Sequence, residues 1–253
     1  MCESSRSGKA HGYVPKGLRK ITSMITTSAQ QLTAGQLTGQ NTDHLVSHQQ
    51  HLLHKDMQPA FAALQQAAQL AGFDLQLASA FRPFERQLLI WNNKFNGLRP
   101  LLDSNSQPLD ASALSKLEKI EAILRWSALP GASRHHWGTD VDVYAKNCLP
   151  VNTSLQLEPW EYQTNGHQAE FNQWLSAHMG EYGFYLPYAE DKGGVALEPW
   201  HISYHPISQT LQQQLTLDLL YHTLSENDVA GKSQILKNLD SLYIRFITNV
   251  CEV

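Results

Sequence analysis

Ser133-Arg134-His135-His136-Trp137-Gly138-Thr139-Asp140-Val141-Asp142-Val143-Tyr144 is the stretch on which the reading of this chain turns. From Asp140 onward the valines face one side and the aspartates the other, the two-residue period of a half-buried strand, and Gly138 relaxes the backbone just before it. His135 then falls on an approach loop and Asp142 inside the strand. A second stretch, Val195-Ala196-Leu197-Glu198-Pro199-Trp200-His201-Ile202-Ser203-Tyr204, also reads as mostly extended. It puts Trp200, Ile202 and Tyr204 on one face and His201 and Ser203 on the other. In a chain with twelve histidines a lone His-x6-Asp means little, but two strands can present His135, Asp142 and His201 from a rigid base. Two imidazoles and one carboxylate suit Zn²⁺. Three protein ligands leave one tetrahedral position open, which marks a catalytic centre rather than a structural one.

Ser-x-His-x-x-Gly-x-x-x-Asp (133–142) followed by Glu-x-Trp-His (198–201) resembles the signature of the LAS-type zinc metallopeptidases. That family takes in the VanY-like D-alanyl-D-alanine carboxypeptidases, related dipeptidases and L,D-carboxypeptidases, and the hedgehog signalling domain. A third stretch, Ser79-Ala80-Phe81-Arg82-Pro83-Phe84-Glu85-Arg86-Gln87, resembles the family's Ser-Gly-Tyr-Arg-Ser segment, with a Gln in the place expected downstream. The three blocks occur in family order. Two positions depart from the pattern or question its register. Asp140 stands where the family usually has a small residue, and it is either an acceptor for a ligand histidine, fixing its tautomer, or a solvated strand carboxylate. The family spacing selects His135 as the ligand and leaves His136 as a flanking or substrate-facing residue.

The resemblance implies an α+β fold: a small, mainly antiparallel sheet carries the zinc site and is packed with helices, with extra N- and C-terminal helices. It implies one Zn²⁺ per chain, held by His135, Asp142 and His201. Amide hydrolysis also needs a base that takes a proton from water and returns it to the leaving amine. Glu198, three residues before His201 with Pro199 limiting the conformations between, is the candidate. Arg82 either meets the charge developing on the carbonyl oxygen or clamps the substrate's terminal carboxylate in its planar fork. Ser133 and Gln87 are expected to hydrogen-bond substrate. The implied substrates are peptidoglycan stem peptides, with removal of a C-terminal D-alanine. An L-Ala/D-Glu endopeptidase and a hedgehog-like, non-catalytic zinc-binding interaction domain are the alternatives, and Glu198 together with Arg82 favours hydrolysis.

The 253 residues are enough for one well-cored domain without staples. A net charge of −4 gives no footprint for nucleic acid, and no apolar run reaches the roughly 18 residues of a membrane span. Cys2, Cys148 and Cys251 lack any Cys-x-x-Cys spacing and read as free thiols, which leans toward a reducing compartment. The first forty residues carry five Lys or Arg against one Glu and no apolar core of a secretory signal. Residues 1–45 therefore read as a flexible tail, and the location as cytoplasmic, with periplasmic action or release on lysis as alternatives. A start at Met24 is a further reading. The domain is expected over residues 46–253, with a motif core at 74–206 and a helical extension at 207–253.

Helices are predicted over residues 58–71, from Pro83 to about Phe95, from a Ser115/Glu118 capping box to Pro130-Gly131, and around Phe171–Met179. Asp74–Ala80 reads as a strand that delivers Arg82. Residues 145–165 read as a loop over the site. Leu211, Leu215, Leu219 and His222, then Ile235, Leu239, Leu242, Phe246 and Val250, predict two C-terminal helices with core-facing stripes.

Overall fold

The structure, a computed structural model, describes residues 31–253. The alternating stretch forms strand β4 (Asp140–Ala145), and Val141, Val143 and Ala145 are fully buried on one face. β4 pairs antiparallel with β3 (Leu75–Ser79) on one side and with β6 (His201–Tyr204) on the other. β5 (Phe184–Tyr185) completes a four-stranded antiparallel sheet in the order β3-β4-β6-β5. Asp142 lies opposite His201 in the register, so the pleat projects both side chains from the same face.

Behind the sheet, Val141, Val143, Trp200, Ile202 and Tyr204 pack on helix α2 (Gln58–Leu70) and helix α6 (Ala169–His178). Phe61, Leu64 and Ala68 follow Met57 at helical spacing, and all four are buried. A second apolar cluster gathers Trp91 of α3 (Phe84–Phe95), Ile120, Ile123 and Leu124 of α4 (Lys116–Leu124), Trp137 and the C-terminal helices. The polar face of β4 and β6 looks into the space beside this cluster. A separate hairpin, β1 (Leu45–His48) and β2 (His51–His54), covers the approach to β4. Gly138 makes this possible. Its backbone is left-handed, with φ +68°, and a Cβ there would meet Leu45 Cδ2 at 2.5 Å and His54 N at 2.9 Å.

Several boundaries differ from the sequence reading. Of the tail expected over residues 1–45, residues 1–30 lie outside the described residues. Residues 31–45 are folded onto the domain: Leu32 and Leu37 are buried, α1 (Ala34–Leu37) carries a Thr33/Gln36 capping box, and Trp137 donates to Leu37 O at 3.1 Å. The Ser115/Glu118 capping box forms, but α4 stops at Leu124 rather than running to Pro130-Gly131. β6 begins at His201 and not at Val195, because Glu198-Pro199-Trp200-His201 closes into a turn with His201 N donating to Glu198 O at 3.1 Å. The loop region does contain helix α5 (Pro159–Tyr162). Each expected C-terminal helix is broken in two. Thr216 accepts from Leu219 N, separating α7 (His205–Gln214) from α8 (Leu217–Glu226), and Asn238 separates α9 (Lys232–Lys237) from α10 (Leu239–Leu242). His222, expected on a core stripe, is exposed. Among the described residues Cys148 and Cys251 are free thiols, and no helix is long and apolar enough to cross a membrane.

Candidate active site

The end of β3 and the loop before β4 are tied together by backbone atoms. Arg82 N donates to His135 O at 3.1 Å, and His135 Nδ1 reaches Ala80 O at 3.0 Å. A carbonyl can only accept, so the Nδ1 of His135 carries the proton and its Nε2 is left with a lone pair. That Nε2 stands 3.4 Å from Asp142 Oδ2. From β6, His201 Nε2 lies 3.2 Å from Asp140 Oδ1, which leaves His201 Nδ1 facing Asp142 at 3.5 Å and Glu198 Oε2 at 3.2 Å. One ligand atom from each of His135, Asp142 and His201 lies within 4.8 Å of the others, and all three residues are buried.

These donors fit a metal ion on three counts. Both imidazoles have their outward nitrogen held by an acceptor, Ala80 O or Asp140 Oδ1, and turn their inward nitrogen toward Asp142, the arrangement that fixes a ligating histidine. Asp142 Oδ1 is buried with no hydrogen-bond partner among the described residues, an expensive state for a carboxylate unless a cation sits beside it. The surroundings also demand positive charge. Burial opposes protonation of His201, yet its hydrogen bonds to Asp140 and Glu198 and the charge of Asp142 raise it to about 9.

Asp140 is no solvated carboxylate. It is completely buried, accepts from Arg134 Nε at 2.7 Å and Thr139 Oγ1 at 2.8 Å, and its Oδ1 holds His201. Burial would raise its pKa, but the Arg134 guanidinium outweighs that and keeps it well below the usual carboxylate range. Arg134 in turn donates to Gln212 Oε1 at 2.7 Å and Ser203 Oγ at 2.8 Å, so this buried ion pair is satisfied on every side.

His136 is turned away. Its Nδ1 donates to Arg82 O at 2.6 Å while its Nε2 accepts from Gly131 N at 3.1 Å. Both nitrogens are taken by backbone, and burial pushes the imidazole down to about 3. It is a buried brace for the loop, and neither flanks the cavity nor faces substrate. Gln87 departs from its expected place too. It is fully buried behind Arg82, accepting from Arg82 Nη1 at 3.0 Å and donating to Ala128 O at 2.7 Å. With Ser79 Oγ 3.0 Å from Arg82 Nη2, Gln87 fixes the arginine fork rather than a ligand. Arg82 Nη2 is 4.0 Å from Asp142 Oδ2.

Arg82, Ser133, His135, Asp142, Glu198 and His201 all line one cavity of about 380 Å³. Sequence reasoning left out other residues of its wall. Tyr188 places its ring 5.1 Å from that of His201 and accepts Glu198 N at its carbonyl, 3.1 Å away. Gln156, Leu157 and Glu158 come from the loop expected to overhang the site, Lys94 from the last turn of α3 and Arg99 from the turn beyond it. No local pattern marks these residues, because only the fold brings them to the cavity. Arg134, by contrast, sits inside the quoted motif, six residues before a buried acid.

A family model described as VanY, D-alanyl-D-alanine carboxypeptidase, matches residues 50–207, which include every residue of the donor set as well as Glu198 and Arg82. An uncharacterised protein of Haemophilus influenzae is 35% identical over 121 residues, covering 47% of this chain and 92% of its own length. Another from the same organism is 48% identical over 103 residues, covering 39% of this chain and 70% of its own length. Among solved structures, the vancomycin-resistance D,D-pentapeptidase VanY in complex with Zn(II) is similar at 24% identity and a TM-score of 0.47, over 68% of this chain and 89% of that one. Since the family match spans more than half of the sequence, this chain belongs to the VanY family of D-alanyl-D-alanine carboxypeptidases and is an enzyme of the metallopeptidase class.

Proposed function

We propose that the protein is a zinc-dependent carboxypeptidase that removes a C-terminal D-alanine from peptidoglycan-type peptides. The observation that carries this reading is the convergence of three donor atoms, from His135, Asp142 and His201, beside Glu198 and Arg82 in one cavity. One Zn²⁺ bound there would act as a Lewis acid, lowering the pKa of a coordinated water from about 15.7 to about 7. Glu198 Oε2, 3.2 Å from His201 Nδ1 and mostly shielded from solvent, is placed to accept the proton of the attacking water and to return it to the leaving amine. Its position is set by the 198–201 turn and by Tyr188 O, so its carboxylate needs no search for the reacting atoms.

Arg82 is held by Gln87 and Ser79 with its fork toward Asp142. From there it meets either the developing oxyanion or the peptide's terminal carboxylate. Ser133, buried on the same wall, offers a hydroxyl to the substrate backbone. Asp140 holds His201 in the orientation the donor set requires.

Zinc-loaded protein should be incubated with tri-, tetra- and pentapeptide stem peptides and the released fragment identified by mass. Release of free D-alanine is expected. Cleavage between L-Ala and D-Glu would replace this reading with an endopeptidase, and intact peptides with zinc bound would replace it with a binding domain.

A further inference from the structure

Residues 186–200, between β5 and β6, form neither helix nor strand. So long an irregular segment needs outside support if its end is to hold a reacting group still. Glu198 stands near that end, and its N–H donates to the carbonyl of Tyr188 at 3.1 Å. The placement of Glu198 is therefore only as firm as the placement of Tyr188.

One side of the segment is held by α4. Arg125, which caps that helix, forms a two-pronged pair with Asp191, at 3.0 and 2.6 Å, and its carbonyl accepts from Ala196 N at 2.9 Å. The other side is held by residues beyond the stretch matched to the VanY family. There α10 widens into a π-helical turn (Tyr243–Ile247), with Thr248 N donating to Tyr243 O at 3.0 Å. Turns of this kind are rare and occur mostly at functional sites. Phe246 and Ile247 of this turn are buried and line the cavity.

Residues 245–251 then run beside the irregular segment and bond to it repeatedly. Arg245 Nε donates to Gly193 O at 2.8 Å, Asn249 Nδ2 to Lys192 O at 3.0 Å, Lys192 Nζ to Val250 O at 3.1 Å, and Cys251 N to Pro187 O at 2.8 Å. The last of these falls on the residue next to Tyr188. Where the two segments touch most closely no side chain fits: a Cβ on Gly194 would stand 2.2 Å from Arg245 O and 3.2 Å from Asn249 Nδ2. The backbone of Gly194 is not left-handed, so it is this contact, and not an unusual conformation, that calls for glycine.

We propose that residues 245–251 are a positioning clamp for Glu198: through Pro187, Gly193 and Gly194 they set where Tyr188 O stands, and with it the carboxylate that serves as base. The inference rests on the reading of Glu198 as the group that takes a proton from water. It makes the helical extension a working part of the site, where its apolar stripes alone read as core. Released from the clamp, the carboxylate leaves the line of proton transfer, and a displacement of about 1 Å costs roughly 10²-fold in rate.

Gly194→Ala drives a wedge between the two segments while every group named in the chemistry stays in the chain. Two readouts apply to the zinc-loaded full chain. One is hydrolysis of a stem pentapeptide. The other is amide hydrogen exchange by NMR at Glu198 N–H, which reports the bond to Tyr188 O without any turnover. With zinc content unchanged, kcat should fall about 10- to 100-fold and KM should change less than about threefold. The Glu198 amide should exchange about tenfold faster or more, while the Tyr204 amide, bonded to Thr139 O at 2.9 Å in the sheet, should hold. Gly180→Ala, at a glycine with open space around it, should change neither readout. If Gly194→Ala fails to fold by circular dichroism, Arg245→Met with Asn249→Ala removes both side-chain donors without a wedge, and the same pattern is expected at about three- to tenfold.

A folded, zinc-loaded variant with normal kcat and an unchanged Glu198 amide would overturn the clamp. So would a fall in kcat without faster exchange at Glu198, or faster exchange there with kcat intact. Loss of zinc, or faster exchange at Glu198 and Tyr204 alike, would overturn it too, as general loosening of the fold. If the unsubstituted protein releases no D-alanine, the carboxypeptidase reading falls and exchange alone decides: faster exchange confined to Glu198 in the wedge or donor variants keeps the clamp on that residue, and unchanged exchange removes it.

Discussion

Two buried pairs of imidazoles in this molecule have opposite characters. The β1–β2 hairpin and its flanks hold a third of the chain's histidines, His44, His48, His51 and His54, within eleven residues. His44 and His54 are buried with ring centroids 5.6 Å apart, and neither nitrogen of His44 has a partner among the described residues. His135 and His201 are 66 positions apart in sequence, yet their rings lie 4.8 Å from each other. The difference lies in the acids. The mostly exposed Asp56 is the acid nearest the hairpin pair, 3.8 Å from His54 Nδ1, so burial prevails and drives His54 down to about 4. Around His201 stand Asp140, Asp142 and Glu198, and its imidazole is raised to about 9. Histidine density does not mark a cation site. Carboxylates gathered around an imidazole do.

The sharpest break of this contrast is substitution in each pair. His135→Ala or His201→Ala should remove stoichiometric zinc from dialysed protein, by elemental analysis, and hydrolysis with it, while His44→Ala should leave zinc in place. Zinc retained in both site variants would refute the donor set. Next in size is Glu198→Gln, which keeps shape and metal but cannot accept a proton. Its kcat should fall by roughly 10²- to 10⁴-fold with zinc content unchanged, and a near-normal kcat would point to another base.

Asp140→Asn tests whether the acid behind the histidine matters as much as the one in front. Zinc affinity, measured by chelator competition, should weaken by about 10- to 100-fold, the usual consequence of losing the acceptor that orients a ligating histidine. The melting temperature should fall too, since Arg134 would be left as a buried charge without its partner. Unchanged affinity would reduce Asp140 to a structural role.

The smallest effect concerns the hairpin. His54 has a folded pKa of about 4 against an ordinary 6.5. Its contribution to stability is therefore fully present above pH 6.5 and lost as pH falls through 4. At about 1.4 kcal/mol per pKa unit this is at most about 3.5 kcal/mol. The difference in unfolding free energy between the natural chain and His54→Gln should narrow over that window, and a difference that stays constant with pH would show that His54 is not the group that titrates. Acid effects on the zinc ligands cancel in the comparison, because both proteins share them.

Much of this architecture was legible because local patterns set it. The alternation from Asp140 to Tyr144 fixed which side chains face the core, the Ser115/Glu118 box marked a helix start, and motif spacing separated His135 from its neighbour. What was not legible depended on partners distant in sequence. His136 and Gln87 looked like site residues because they stand in site motifs, and only the carbonyls of Arg82 and Ala128 show them to be braces. Glu198 read as part of a strand because Trp200, Ile202 and Tyr204 alternate, a pattern that says nothing about the turn closed by His201 N and Glu198 O. The C-terminal stripes kept their helical period across Thr216 and Asn238, so the apolar pattern hid the breaks that capping and backbone geometry impose.

The backbone ties from Ala80 and Arg82 to His135 and His136 bear on how such an enzyme can change its diet. Re-aiming Arg82 would shift the same three-residue segment that holds His135 in place, so variation there endangers the chemistry itself. The turn after α3 carries no such duty. Exposed, reversed at Gly97 and tied by its backbone to the last turn of α3, it can accept insertions or exchanges while the donor set stays where it is. In descendants of this protein, new substrate preferences should accumulate around residues 96–99 long before they reach residues 79–87.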